Sequence, residues 1–92
     1  MEETYSFSPR VDATNAKAVQ ADLEKLVADG VTDLTLDFAE NKYVSSAGLR
    51  AVLSTQKKLT KAGGSMRLIN VPDAVKEIFD VTGYSRFLNI EN

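Results

Sequence analysis

Segments with the period of a β-strand alternate with segments that have the period of an α-helix. Between residues 31 and 38, Leu34, Leu36 and Phe38 alternate with polar residues, as the side chains of a half-buried strand do. Around Val19 to Val27, and again from Ser46 to about Lys61, apolar residues recur at helical spacing. This alternation is typical of an α/β domain with a largely parallel sheet.

The full pattern predicts the order β-α-β-α-β-α, followed by a short tail. A first strand around Tyr5 and Phe7 is interrupted by Pro9, which cannot donate to a sheet ladder. The third strand covers Met66 to Val71, and the third helix lies between Pro72 and Gly83. The tail contains three apolar residues, Phe87, Leu88 and Ile90, which predict that it packs on the core. We expect a small, mostly parallel sheet with helices packed mainly on one face.

Polar residues at the element boundaries are interpreted as caps and turns. Asp12, Thr14 and Asn15 offer side-chain oxygens for the start of the first helix. Gly30 follows the helical stripe and predicts its end, because glycine accepts the left-handed conformation common there. Asp37 ends a predicted strand, and a structural role is favoured over a functional one.

The composition removes several classes of function. The 92 residues include no His and no Cys, which excludes a Ser–His triad, histidine acid–base catalysis and the usual zinc ligands. With 11 basic and 13 acidic residues, the chain lacks the cationic excess typical of nucleic-acid binding. No apolar run approaches the length of about 20 residues that spans a bilayer. We therefore expect a single cytoplasmic domain covering residues 1–92, without enzymatic activity, cofactor or metal.

Two adjacent serines stand where a strand exit leads into the second helix, in the run Tyr43-Val44-Ser45-Ser46-Ala47-Gly48-Leu49-Arg50. A serine at this position commonly caps the helix and contributes about 1 kcal/mol. A second interpretation is phosphorylation, since the positive end of a helix tolerates an added anion. The two roles are compatible: Ser45 can cap the helix while Ser46 accepts a phosphate.

Residues 43–50 resemble the signature of the STAS family, to which the anti-sigma factor antagonists belong. Residues 10–16, 64–71 and 72–83 are similar to further family segments in the same order. The resemblance implies a partner-switching regulator that binds an anti-sigma factor serine kinase and releases it once Ser46 is phosphorylated. It also implies a PP2C-type phosphatase that resets the cycle. Many antagonists have Asp where this chain has Ser45, which makes Ser45 a rival acceptor.

The second helix also predicts a surface for the partner. At 3.6 residues per turn, Ser46, Arg50, Ser54, Lys57 and Lys61 fall near one face, with Lys58 beside them. This face is either a solvated cationic surface or a docking ridge for an acidic partner. A phosphate on Ser46 would pair with Arg50 one turn away. The predicted partner-binding residues are Tyr43, Val44, Ser45, Ala47, Gly48, Leu49, Arg50 and Lys57.

Other functions remain open at this point. STAS domains also occur as subunits of lipid or anion transport assemblies and as small-molecule sensors, and an isolated scaffold module with an unmodified serine is a third possibility. The sequence does not determine the oligomeric state.

Overall fold

The computed structural model describes residues 1–91. The three predicted helices are present and follow one another in the predicted order: α1 (Ala16–Ala28), α2 (Ser46–Lys61) and α3 (Asp73–Val81). The strands are β1 (Glu2–Ser6), β2 (Arg10–Val11), β3 (Asp33–Asp37), β4 (Tyr43–Val44), β5 (Ser65–Ile69) and β6 (Ile90–Glu91). A short 3₁₀ helix, Tyr84–Arg86, joins α3 to the last strand.

The main sheet is parallel throughout and has the strand order β1-β3-β5-β6. Because neighbouring residues of a strand point to opposite faces, its register separates an apolar face from a polar one. Leu36 pairs with Leu68 on one face. Thr35 pairs with Arg67 on the other, where the Arg67 Nε atom donates to Thr35 Oγ1 at 3.0 Å. On this polar face Thr35 is buried and Arg67 is half-buried.

All three helices pack on the apolar face, which confirms the predicted architecture. One buried cluster joins Leu34, Leu36, Met66 and Leu68 of the sheet with side chains from α1, α2 and α3, including Leu23, Val52 and Phe79. Aromatic contacts extend this cluster toward the end of β3. Phe7 stacks on Phe38 with ring centroids 4.3 Å apart, and Phe38 meets Phe79 edge to face at 5.9 Å.

The N-terminal region and the tail contain strands that the apolar pattern did not predict. After β1, residues 10–11 form a separate strand that pairs in parallel with β4, so Val11 belongs to a second, two-stranded sheet. The tail packs on the core as predicted and also adds β6 beside β5. Leu88 is buried, but Phe87 is 65% exposed, so its predicted packing on the core is wrong. Phe87 lies on the outer surface instead.

The start of α1 uses the predicted polar residues in a different way. Asn15 occupies the cap position, yet its side chain does not cap the first turn. Its Nδ2 atom donates to the Arg10 carbonyl, and its Oδ1 accepts from the Asp12 N–H, both at 2.8 Å. Asp12 Oδ1 accepts from the N–H of Thr14 at 2.9 Å. These bonds fix the turn that precedes the helix rather than the helix end itself.

Asp37 has the structural role that the sequence favoured. Its Oδ1 accepts from the Ala39 N–H at 2.9 Å and from Asn70 Nδ2 at 3.1 Å. The carboxylate therefore joins the exits of β3 and β5.

Within residues 1–91, no helix is both long and apolar enough to cross a membrane.

Candidate functional site

The two serines at the start of α2 have different environments. Ser45 is the cap residue, with extended backbone angles and a side chain that accepts from the Gly48 N–H at 3.3 Å. Ser46 is the first residue of the helix and is exposed. Within the described chain, no hydrogen bond engages the Ser46 hydroxyl. Ser45 therefore stabilises the helix end, while Ser46 presents a free hydroxyl to solvent.

The small β2–β4 sheet holds this helix start in place. The Ser45 N–H donates to the Val11 carbonyl at 2.8 Å, so the sheet ladder continues into the cap. Gly48 is buried against the same strands: a Cβ atom there would lie 2.8 Å from Cγ1 of Val11 and of Val44. Glycine thus permits the first turn of α2 to approach the two valines.

Asn41 anchors the loop that leads into the site. Its side chain is fully buried, and its Nδ2 atom donates to the carbonyl oxygens of Ser8 at 2.8 Å and Tyr43 at 3.2 Å. The backbone adds a further link, because the Lys42 N–H donates to the Pro9 carbonyl at 2.8 Å. These bonds fix the position of β4 relative to the loop after β1.

A charged and aromatic cluster lies on the exposed side of the β2–β4 sheet. The Arg10 guanidinium stands 4.6 Å from the centre of the Tyr43 ring, within the range of a cation–π contact. Arg10 Nε also donates to Asp12 at 2.8 Å. Hydrogen bonds from the Thr14 hydroxyl and N–H, and then from Arg10, lower the pKa of Asp12 to about 2. Asp12 is therefore ionised at neutral pH.

The outer face of α2 carries exposed cations on the C-terminal side of Ser46. Arg50, Lys57 and Lys61 are exposed, and none of them forms a salt bridge with another residue in the range 1–91. Lys58 differs, since its Nζ atom lies 2.9 Å from Glu24 Oε1 on α1. Lys58 thus links two helices, whereas the other three cations remain available to an outside group.

The STAS domain family model matches residues 4–92 of this chain. The chain belongs to the STAS domain family.

Curated relatives agree with this assignment. The STAS domain is 33% identical over 82 residues to the putative anti-sigma factor antagonist BtrV of Bordetella bronchiseptica, covering 89% of this chain and 71% of the relative. It is 30% identical over 85 residues to the anti-sigma-B factor antagonist of Bacillus subtilis, covering 92% of this chain and 77% of the relative.

The solved structures of SpoIIAA share the fold at low sequence identity. The unphosphorylated form of this anti-sigma factor antagonist aligns with a TM-score of 0.84 at 17% identity, covering 99% of this chain and 80% of that one. The phosphorylated form from Bacillus aligns with a TM-score of 0.76 at 17% identity, covering 99% and 83%.

The STAS domain exposes some of the predicted site residues and buries others. Tyr43, Ser46, Arg50 and Lys57 are exposed, and Ser45 and Ala47 are half-buried. Val44, Gly48 and Leu49 are buried, so these residues offer little surface to a partner in this conformation. These three residues belong to the buried layer beneath the exposed residues of the site.

Sequence reasoning missed the residues that complete the site from distant segments. Arg10 contacts Tyr43, and Asn41 holds β4. Tyr84 and Phe87 border the outer face of α2. The sequence offered no signal that separates Phe87 from Leu88, because apolar residues in a short tail have no period that distinguishes buried from exposed positions.

Proposed function

We propose that this STAS domain is a cytoplasmic anti-sigma factor antagonist that works by partner switching. The unphosphorylated domain binds an anti-sigma factor that is also a serine kinase, and phosphorylation of Ser46 ends the complex. A PP2C-type phosphatase removes the phosphate and restores binding. The relatives named above are regulators, in agreement with the prediction that the chain is not an enzyme.

The free and exposed hydroxyl of Ser46 is the observation that carries this proposal. A kinase must reach the hydroxyl oxygen and align it with a bound nucleotide. Ser46 satisfies this requirement because it is exposed. The Ser45 hydroxyl is half-buried and already accepts the Gly48 N–H. The difference supports Ser46 as the acceptor over Ser45.

The local structure also tolerates the product. A phosphoserine carries about −1.5 to −2 charges at neutral pH. At the start of α2, backbone N–H groups of the first turn and the positive end of the helix favour an anion. Arg50 lies one turn further along the exposed face and can pair with it. Phosphorylation would therefore change the surface charge without unfolding the domain.

The surface around Ser46 explains how one phosphate would end an association. Exposed Tyr43 precedes Ser46 in the chain, and exposed Arg50 follows it by one helical turn, so we expect a partner that contacts both residues to cover the serine as well. A charge buried in an interface without compensation costs several kcal/mol. Because about 1.4 kcal/mol changes an affinity tenfold, we expect binding to weaken by about 100-fold or more.

Similarity to the curated relatives supports the choice of partner. Two of them, at 33% and 30% identity over most of this chain, carry the name of anti-sigma factor antagonist. Their identity exceeds that of the solved structures. We extend their named role to this chain as a proposal.

Intact-mass analysis tests the acceptor site. The protein is incubated with ATP, Mg²⁺ and its cognate anti-sigma factor kinase, and we expect a mass increase of one phosphate. Ser46→Ala should abolish the increase, and the matched variant Ser45→Ala should retain it. The reverse result would assign the acceptor to Ser45.

Calorimetric titration against the kinase tests the switch. Ser46→Ala should bind like the wild type, and Ser46→Asp should bind at least about 10-fold more weakly, since carboxylate carries less charge than phosphate. Equal dissociation constants for the two variants would contradict the proposal. An unmodified protein that co-purifies with membrane transport subunits would favour the transport function instead.

A further inference from the structure

Two neighbouring depressions lie along the outer side of α2. The first has a volume of about 520 Å³ and is lined by Gln20 of α1, Tyr84 and four residues of α2. The second has a volume of about 360 Å³, shares Leu53 and Lys57 with the first, and continues to Lys61 and Phe87. At 1.5 Å per residue, the stretch from Arg50 to Lys61 is about 16 Å long. We call this surface the α2 groove.

The α2 groove is cationic although the chain is acidic overall. Its lining includes Arg50, Lys57 and Lys61 and no acidic residue, whereas the whole chain has a net charge of −2. None of the three cations has an ion-pair partner among residues 1–91. The groove therefore presents concentrated positive charge that intramolecular pairs do not offset.

Apolar groups line the same groove. Phe87 is 65% exposed at one end, and Leu53 and Tyr84 are half-buried along it. An exposed aromatic ring beside a depression is the kind of group that anchors a protein interface. Cations and apolar groups thus line the same surface, which is about three helical turns long.

We infer that the α2 groove binds an acidic amphipathic helix of the partner protein. A helix laid in a groove inserts apolar residues at intervals of three and four and leaves its charged flanks at the rims. The groove length suits about three turns of such a helix, and its unpaired cations are complementary to Asp and Glu on the flanks. The two depressions adjoin at Leu53 and Lys57, so a helix laid along α2 would contact both.

The inference rests on the proposed function and extends it to the partner's side of the interface. Ser46 lies near the angular position of Arg50, Lys57 and Lys61 around α2, because residues separated by about 3.6 positions share a face. A phosphate at Ser46 would add about two negative charges to a stripe with three cations. It would reduce the attraction for an acidic helix as well as block contact at Ser46.

A defined peptide tests the groove without the kinase. The probe is a capped 12-residue peptide of about three turns, with leucine on one helical face and glutamate on its flanks. Titration into the ¹⁵N-labelled full chain should shift the amide signals of Leu53, Lys57 and Phe87 with saturation. A scrambled peptide of the same composition should bind at least about 10-fold more weakly. Absence of saturable shifts at these residues would overturn the inference.

Charge-matched variants locate the contact. Lys57→Glu/Lys61→Glu should weaken peptide binding by at least about 10-fold. The control Lys25→Glu/Lys76→Glu makes the same charge change on α1 and α3, and it should bind within about 2-fold of the wild type. Folding of both variants is checked from their amide spectra. Equal weakening in both would overturn the inference, because it would show attraction to net charge alone.

The exposed ring allows a test that leaves charge and core unchanged. Phe87→Ser should weaken peptide binding by about 3- to 10-fold with a preserved amide spectrum. Wild-type affinity in this variant would overturn the apolar part of the inference. Vesicles containing phosphatidylglycerol form a separate arm, in which binding to vesicles but not to the peptide would overturn the choice of a protein partner.

The two proposals fail independently. If Ser46 is phosphorylated and its Asp variant releases the kinase while the peptide does not bind, the groove inference is wrong and the switch stands. If the peptide binds in the groove but Ser46 is never phosphorylated, the switch is wrong, and the groove remains a docking site for an acidic helix.

Discussion

A Cβ atom at Gly48 would lie 2.8 Å from Val11 Cγ1, and at the same distance from Val44 Cγ1. The first turn of α2 therefore rests against the β2–β4 sheet at a separation that a larger side chain does not permit. Since the helix start carries Ser46, this close packing also fixes the presentation of the proposed acceptor.

Gly48→Ala is expected to destabilise the domain by about 1–3 kcal/mol, because the added methyl group must displace two buried valines. Alanine is favoured over glycine in a helix by about 1 kcal/mol. A net loss of stability would therefore show that the steric conflict with the two valines outweighs the gain in helix propensity. Urea denaturation measures the change. Ser54→Ala on the same helix is the control and should alter stability by less than about 0.5 kcal/mol. An unchanged midpoint for Gly48→Ala would contradict the close approach.

The two serines should differ in stability as well as in phosphorylation. Ser45→Ala removes the side-chain acceptor of the Gly48 N–H and should cost about 1 kcal/mol. Ser46→Ala removes an exposed hydroxyl and should change stability by less than about 0.5 kcal/mol. Thermal or urea unfolding of the pair measures both values. Equal losses would contradict the assignment of Ser45 as the cap.

The sequence predicted the long elements because each buries a periodic face. The predicted second helix from Ser46 to about Lys61 matches α2, Ser46–Lys61, since its apolar residues span several turns. The strand with Leu34 and Leu36 was recognisable for the same reason. Because these faces are buried against one another, their apolar residues must recur with the period of the element, and that period is visible in the sequence.

The shorter elements left no such signal. Strands β2, β4 and β6 each contain two residues, which is too few to establish a period. Their pairing depends on residues far apart in the chain, as Val11 and Val44 are. The α2 groove also combines α1, α2 and the segment after α3, so only its α2 side was visible as a stripe of cations.

Asn41→Asp should make stability depend on pH, because it replaces a buried donor with an acidic group. Asn41 Nδ2 donates to the Ser8 and Tyr43 carbonyls, whereas a carboxylate would face both oxygens as a third acceptor. Burial and these carbonyls should raise the folded-state pKa of the new Asp above its unfolded value of about 3.9. Its protonated form can still donate one hydrogen bond.

The raised pKa of the new Asp determines the direction in which stability changes with pH. The neutral acid is favoured in the folded protein, so the stability deficit of the variant is smallest below about pH 4 and grows as the pH rises through the folded-state pKa of the new Asp. At pH 7 we expect a loss of at least about 2 kcal/mol relative to the wild type. Urea midpoints of both proteins across this range give the difference curve. A deficit independent of pH would contradict the buried donor role of Asn41.

Tyr5 offers a test of the contact between β1 and α1. Its hydroxyl donates to Asp22 Oδ2 at 2.9 Å. Burial, followed by this hydrogen bond and the nearby negative charge, raises the pKa of Tyr5 from 10.0 to about 12. Because the folded-state pKa is raised, the contribution to stability is fully present below about pH 10 and is lost as the pH rises through about 12.

Ultraviolet absorbance of the phenolate measures this titration in the folded protein. The chain has three tyrosines, and we expect a late step that Tyr5→Phe removes. Asp22→Asn should move this step to lower pH, since it removes the negative charge while the burial of Tyr5 persists. Circular dichroism over the same range verifies that the domain stays folded. A late step that persists in Tyr5→Phe, or that is unmoved in Asp22→Asn, would contradict the contact, whereas the expected shift would show that β1 is bound to α1 through this pair.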